Sequence, residues 1–220
     1  MIMSLLPIDE KKDALQPNEQ EVDLDAAWRR VRSWVYVALG LLLAIAVGLS
    51  VYFHLKNREE ETELAAQSML VEAPNEAALQ AVIEKYPSAD AALQALMLLA
   101  FHKYEEGDWK SARESYQKVY EKAMPRQPDL AASGLFGVGA AYEAEKNYGK
   151  SLEVYATLAR QYPNSFKTVE AKMNQARVYE LKGDLDKARK SYENIIVSYP
   201  RSEWKTRAEQ RKKIIESRAK

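Results

Sequence analysis

Moved by 37 residues, the second half of this 220-residue chain falls onto itself. The shift places Tyr142 on Tyr179, Tyr155 on Tyr192, Tyr162-Pro163 on Tyr199-Pro200, Ser165 on Ser202 and Ala171 on Ala208. A shift of 39 places Trp109 on Tyr148 and Tyr116 on Tyr155, the extra length falling between Pro125 and Pro128. A further Tyr-Pro pair, Tyr86-Pro87, precedes the set. Self-similarity at one spacing constrains the fold severely. Each unit must be a supersecondary element that buries its apolar face against its neighbours.

Each unit reads as two helices. In the last one the spacing predicts a first helix over Ala171–Lys182 and a second over Asp184–Ser198, joined at Gly183. Glycine accepts the left-handed backbone that ends a helix, and Asp184 can accept hydrogen bonds from the free amides that start the next. Asp108 and Asn147 hold the equivalent position in the earlier units. Apolar residues then recur at helical spacing: Leu185, Ala188, Tyr192 and Ile195 in one unit, Tyr148, Leu152, Tyr155 and Leu158 in another. Pro163 and Pro200 end their helices, because a residue before proline disfavours helical backbone.

Small residues at Ala100, Gly139 and Ala176 in the first helices, and at Ala112, Ser151 and Ala188 in the second, complete the pattern together with Tyr116, Tyr155 and Tyr192. In this the chain resembles the tetratricopeptide repeat. It departs at Lys103, where an aromatic is usual, at Lys146 in place of the turn glycine, and at Met124-Pro125, where the closing proline is shifted. The expected fold is all-α: three complete helical hairpins over 90–202, a degenerate unit within 57–89 and a capping helix over 203–220. The Tyr-Pro-x-Ser ending and the spacing resemble the repeats of bacterial cell-envelope proteins.

Ahead of the repeats the chain loses its charge between Arg32 and Lys56. Trp34 to Phe53 is a twenty-residue uncharged run, which as a helix spans about 30 Å, the thickness of a bilayer's hydrocarbon core. Trp34 and Tyr36 at one end and Tyr52 and Phe53 at the other suit the headgroup boundaries. A single transmembrane helix with its flanks is expected over 29–56, and a mobile acidic tail over 1–28. Arg29, Arg30 and Arg32 lie before the span, while Glu59, Glu60, Glu61 and Glu63 outweigh Lys56 and Arg58 after it. The positive-inside rule then puts the N-terminus in the cytoplasm and the repeats across the membrane. Ala44-Ile45-Ala46 offers a small-x-small cleavage site, but 33 residues holding seven acids precede the span, which suits a signal peptide poorly. A retained anchor is expected. Gly40, Ala44 and Gly48 form a stripe on which another membrane helix could pack.

Chemistry finds little to use. With no cysteine and only His54 and His102, thiolate metal sites, thiol nucleophiles and histidine-based catalysis are disfavoured. Asp184-Leu185-Asp186 reads as a helix cap before it reads as a metal pair, and Gly134, Gly137 and Gly139 read as close helix packing before a phosphate loop. His102 reads as a structural residue and His54 as an interface residue. Lys+Arg and Asp+Glu stand at 32 each, so no basic field recruits nucleic acid. The expectation is no enzyme, no catalytic or metal residues and no cofactor.

What the resemblance implies is a groove lined by the first helices of the hairpins, at Met97, Phe101, Tyr104, Phe136, Ala140, Met173, Arg177 and Leu181, binding other proteins. Met97 and Phe101 stand where repeats that clamp chaperone tails carry Lys and Asn, which disfavours a carboxylate clamp. The stretch from Arg201 to Lys220 holds eight basic and three acidic residues. It could face an acidic partner, lipid headgroups or solvent. A cytoplasmic tail, one span and an outer repeat domain together resemble the YfgM-like ancillary subunits of the Sec translocon. That resemblance implies a bacterial inner-membrane scaffold or holding factor, with the translocon or periplasmic clients as partners. Two alternatives stand beside it: a coordinator of envelope assembly or division that forms homo-oligomers through the Gly40/Ala44/Gly48 stripe, and an accessory subunit of an enzyme complex.

Overall fold

The computed structural model describes residues 24–124 and 126–218, and the residues it describes form two units, divided after Lys56. The polar tail expected over 1–28 lies outside the described residues as far as residue 23. Its last five residues are helical, because α1 (Leu24–Val71) starts at Leu24. In the first unit α1 presents a helix long and apolar enough to cross a membrane, with a mean hydropathy of 2.3 over its most apolar window and none of that window buried. Gly40 and Gly48 have open space where a side chain would be. His54 is exposed.

The second unit holds the rest of α1 and eight further helices: α2 (Glu76–Lys85), α3 (Asp90–Glu105), α4 (Trp109–Ala123), α5 (Pro128–Ala144), α6 (Tyr148–Gln161), α7 (Phe166–Leu181), α8 (Leu185–Ser198) and α9 (Glu203–Arg218). No strand occurs among the described residues. From α2 onward each helix packs on the next, and α3, α5, α7 and α9 also meet in sequence, so the hairpins stack as a solenoid.

The turns show why the sequence breaks where it does. The N–H of Asp108 bonds the carbonyl of Lys103 at 2.9 Å, that of Asn147 reaches Tyr142 at 2.8 Å, and that of Asp184 reaches Tyr179 at 2.9 Å. The residue before each adopts positive φ: Gly107 at 82°, Lys146 at 59° and Gly183 at 79°. This is one C-terminal cap used three times, with a lysine in the middle copy. Asp108, Asn147 and Asp184 then accept from the amides of Ser111, Lys150 and Lys187 to start the second helices. Asp184 is thus a cap, and hydrogen bonding to Lys187 holds its carboxyl below the usual aspartate range.

The Tyr-Pro turns do the reverse task. After Tyr162 the chain re-enters a helix within four residues, with Ser165 N–H on the Tyr162 carbonyl at 3.1 Å and the Ser165 hydroxyl accepting from Lys167 N–H. Helix α7 therefore begins at Phe166, five residues before the Ala171 expected from apolar spacing alone. The serine of Tyr-Pro-x-Ser is the next helix's cap, which apolar periodicity does not register.

The core runs along the stack. Ala100, Ala112 and Tyr116 pack together between α3 and α4, and Ala176, Ala188, Tyr192 and Ile195 between α7 and α8. Helix α9 closes the end by burying Ala208 and Ile215 in that last cluster, with Trp204 against it. At the other end Glu63 of α1 reaches the start of α3, accepting from Asp90 N–H at 2.7 Å and Ala91 N–H at 3.0 Å. Ala89, in the capping position there, has no side chain able to do so. His102 is exposed on α3, beside Phe101, and takes no part in core packing.

Candidate binding groove

Helices α3, α5 and α7 frame a half-open cavity of about 520 Å³. Helix α3 contributes Met97, Phe101 and Tyr104, which fall on one face at intervals of four and three residues. Helix α5 contributes Leu130, Ser133, Phe136, Gly137 and Ala140, and α7 closes the far side with Lys167, Asn174 and Arg177.

Two glycines let rings pack against α5, and one of those rings floors the groove. A Cβ on Gly137 would stand 2.4 Å from the ring of Tyr116, so only the bare backbone lets that ring of α4 lie against α5 under the groove. A Cβ on Gly139 would stand 2.6 Å from the ring of Tyr155, which α6 presses on the same helix from the other side. Ser151 fixes that approach by donating to the Gly139 carbonyl at 2.9 Å. Burial pushes the Tyr116 phenol up to about 12 and the Tyr155 phenol further still.

At the groove's inner edge sits a buried carboxylate. Glu143 accepts from the Tyr155 hydroxyl at 3.3 Å and from Arg177 Nη2 at 2.9 Å, and Asn174 donates to the Tyr155 oxygen at 3.3 Å. Desolvation raises the Glu143 carboxyl above its usual range, while the Arg177 charge and the two hydrogen bonds pull it back. The Tyr104 phenol is raised as well, by burial first and then by the Glu143 charge. Lys167 lies 4.7 Å from the centre of the Phe136 ring and pairs with Glu170 at 2.7 Å. One wall is thus apolar and aromatic, the other polar and cationic. The lining suits an apolar side chain held against Phe101 and Phe136 while donors on α7 orient its polar neighbours.

Of the eight groove residues expected from sequence, Met97, Phe101, Tyr104, Phe136, Ala140 and Arg177 line this one cavity. Met173 lines the adjoining cavity instead, and Leu181 is 52% exposed near the end of α7, lining neither. Lys167, Asn174, Leu130 and Ser133 were not among those eight. Lys167 precedes the helix that apolar spacing predicts from Ala171, whereas α7 begins at Phe166. With Ser165 as the cap, Lys167 falls on the same face of α7 as Asn174, about two turns earlier.

Stacked helical hairpins around an apolar groove define the class: an α-solenoid repeat protein. A sequence model of the family described as tetratricopeptide repeat-like domain matches residues 26–212, and the chain belongs to that family. The match begins ahead of the apolar run. Similar folds occur in a tetratricopeptide repeat protein from Parabacteroides merdae, 18% identical with a TM-score of 0.52 over 73% of this chain. A putative kinesin light chain from Podosopora anserina is 13% identical, with a TM-score of 0.53 over 74% of this chain and 84% of its own. BtubC from P. vanneervenii is 18% identical, with a TM-score of 0.52 over 71% of this chain and 65% of its own. The chain spans 60% of the length of the Parabacteroides protein. No curated protein matches the chain. Domains of this fold are generally non-catalytic scaffolds that bind other proteins.

Proposed function

We propose that this chain is a membrane-anchored, non-enzymatic scaffold that binds proteins through the α3/α5/α7 groove. The observation that carries this reading is the groove itself: an apolar cavity of about 520 Å³ in which Phe101 remains 50% exposed. An aromatic left half in water beside Met97, Phe136 and Ala140 favours a partner that covers it. The anchor is the apolar part of α1, set in a bacterial inner membrane. Arg29, Arg30 and Arg32 lie on the cytoplasmic side and the repeats in the periplasm. Tethering confines the groove near the membrane, where proteins emerging from a translocation channel pass, and so raises its effective concentration for them.

Photo-crosslinking from Phe101 and Phe136 in living cells tests this. Adducts with the translocon or with nascent secreted chains support it, and adducts with one enzyme only, or none, overturn it. A reporter active only in the periplasm, fused after Lys220, tests the orientation, and silence from it reverses the assignment of compartment.

A further inference from the structure

Beyond Arg177 the groove does not end. A second cavity of about 320 Å³ adjoins the first, sharing Asn174 and Arg177, and is lined further on by Met173, Trp204, Arg207 and Arg211. Its chemistry differs from that of the first. Glu180, which the 37-residue repeat makes the counterpart of Glu143, accepts from the Tyr192 hydroxyl at 2.6 Å and from Arg211 at 3.2 and 2.6 Å. The same arrangement is thus built twice: a carboxylate on the first helix of a hairpin, capped by an arginine from the next helix along the groove.

The layering gives this arrangement a sign. The side chains of Glu143 and Glu180 are 8% and 6% exposed, whereas those of Arg177 and Arg211 are 49% and 40% exposed. Negative charge is therefore underneath and guanidinium on top. A guanidinium carries five N–H donors in a planar fork, and these buried pairs engage only some of them. Arg207 adds a third, lying 4.9 Å from the centre of the Trp204 ring and pairing at 3.1 Å with Glu203, which is itself exposed and does not line the cavity. The half-buried acid that lines this cavity, Glu170, is held by Lys167. What a partner meets on this half is guanidinium donors beside an indole and a methionine.

We propose that the groove selects a helical segment whose apolar residues fill the α3/α5 cavity and whose side-chain carboxylates lie along the Arg177–Arg211–Arg207 row. This deepens the scaffold reading and rests on it. Charge complementarity chooses the occupant: a basic segment would meet like charge at three positions, and a purely apolar one would leave the outward donors unpaired.

The test uses the full chain in nanodiscs and three fluorescent helical peptides that share one Leu/Phe stripe. They carry Glu, Gln or Lys at the remaining positions of their second half. Anisotropy at low salt is expected to give the Glu peptide an affinity about tenfold above the Gln peptide, with the Lys peptide weakest. That advantage should shrink as salt rises. Arg207→Glu, an exposed change, should abolish most of the Glu preference while weakening the Gln peptide far less than the Glu peptide, and Phe101→Ala should weaken all three. Equal binding of the Glu and Gln peptides, or tighter binding of the Lys peptide, overturns the charge preference and leaves the groove standing. Failure of all three peptides to bind overturns both.

Discussion

The middle hairpin, α5–α6, and the last one, α7–α8, occupy equivalent places in the repeat and solve the same packing problem differently. Helix α5 carries Gly134, Gly137 and Gly139 where α7 carries Ala171, Asn174 and Ala176. Glycine lowers helix propensity by about 1 kcal/mol against alanine, so three in one helix need a packing reason. The reason lies on both flanks. Tyr116 and Tyr120 of α4 press on one side of α5, and Tyr155 of α6 presses on the other. In α7 the position of Gly137 is taken by Asn174, which stands in the groove wall and bonds Tyr155. The middle hairpin is squeezed so that a ring can floor the groove. The last one is looser and lends its side chains to the wall. Identical repeat topology therefore yields a groove with one apolar and one polar half.

The largest effect should come from filling the squeezed side. A Cβ on Gly134 would stand 2.8 Å from the Tyr120 backbone nitrogen and 3.0 Å from the Tyr116 carbonyl oxygen, atoms that cannot swing aside. Gly134→Ala should therefore destabilise by about 3 kcal/mol despite alanine's better propensity, because α4 and α5 must part. The mirror change in the last hairpin, Ala171→Gly, lacks that clash and should cost about 1 kcal/mol through propensity. Urea unfolding of both variants in nanodiscs, followed by far-ultraviolet circular dichroism, measures the difference. Equal losses would mean that the two hairpins are packed alike.

Next in size are the phenols. Tyr192 donates to the Glu180 carboxylate at 2.6 Å, whereas Tyr155 donates to Glu143 at 3.3 Å. A short bond to a charged acceptor is the stronger of the two. Tyr192→Phe should cost about 2 kcal/mol and Tyr155→Phe about 1 kcal/mol, since Glu143 keeps Arg177 and loses only a long bond. The same unfolding measurement ranks them, and a reversed order would show that burial outweighs bond geometry here.

The fold was legible in the sequence because its determinants are local and repeat. Gly107 and Gly183 mark left-handed turns, Asp108, Asn147 and Asp184 mark helix starts, and the tyrosines return at fixed spacing. The groove was legible only through the family resemblance, which implied Met97, Phe101, Tyr104, Phe136 and Ala140 on the first helices of two hairpins, residues that line one cavity. What stayed hidden is non-local. Glu143 looks like any solvent-facing glutamate until Tyr155 and Arg177, 12 and 34 residues away, cover it. Glu63 looks like part of an acidic flank until it caps α3 from 27 residues away. Lys167 and the true start of α7 were hidden by a cap that carries no apolar signal. Leu181, which the resemblance also implies, lies where the groove does not reach.

A smaller effect separates the turns. Lys146 adopts φ of 59° where Gly107 and Gly183 adopt 82° and 79°. A side chain in left-handed backbone is disfavoured by about 1 kcal/mol, so Lys146→Gly should stabilise the middle hairpin by up to about that amount. Gly183→Ala should destabilise the last hairpin comparably. Its Cβ would meet nothing within 4 Å, so the backbone alone carries the effect. Thermal midpoints moving in opposite directions would confirm it, and a destabilised Lys146→Gly would assign that lysine a contact of its own.

The smallest effect is a pH dependence, and its sign differs between the hairpins. Desolvation raises the Glu143 carboxyl, so the folded chain holds that proton more tightly than the unfolded one. In the window from the ordinary glutamate value, about 4.3, up to the raised value, the folded state binds more protons, and stability falls as pH rises. Below the window both states are protonated and above it both are ionised, so the slope vanishes on either side. Asp184 in the last hairpin is lowered by its bonds to Lys187, and its contribution is present above the ordinary aspartate range and lost as pH falls through the lowered value. Glu143→Gln should therefore remove a decline on the alkaline side of the carboxylate range, and Asp184→Asn a rise on its acid side. The difference in unfolding free energy between each variant and the parent, followed across that range, reads the two slopes separately. Should Glu143→Gln instead flatten the acid limb, the Arg177 charge would outweigh burial, and the carboxylate beneath the groove would behave as an ordinary surface ion pair.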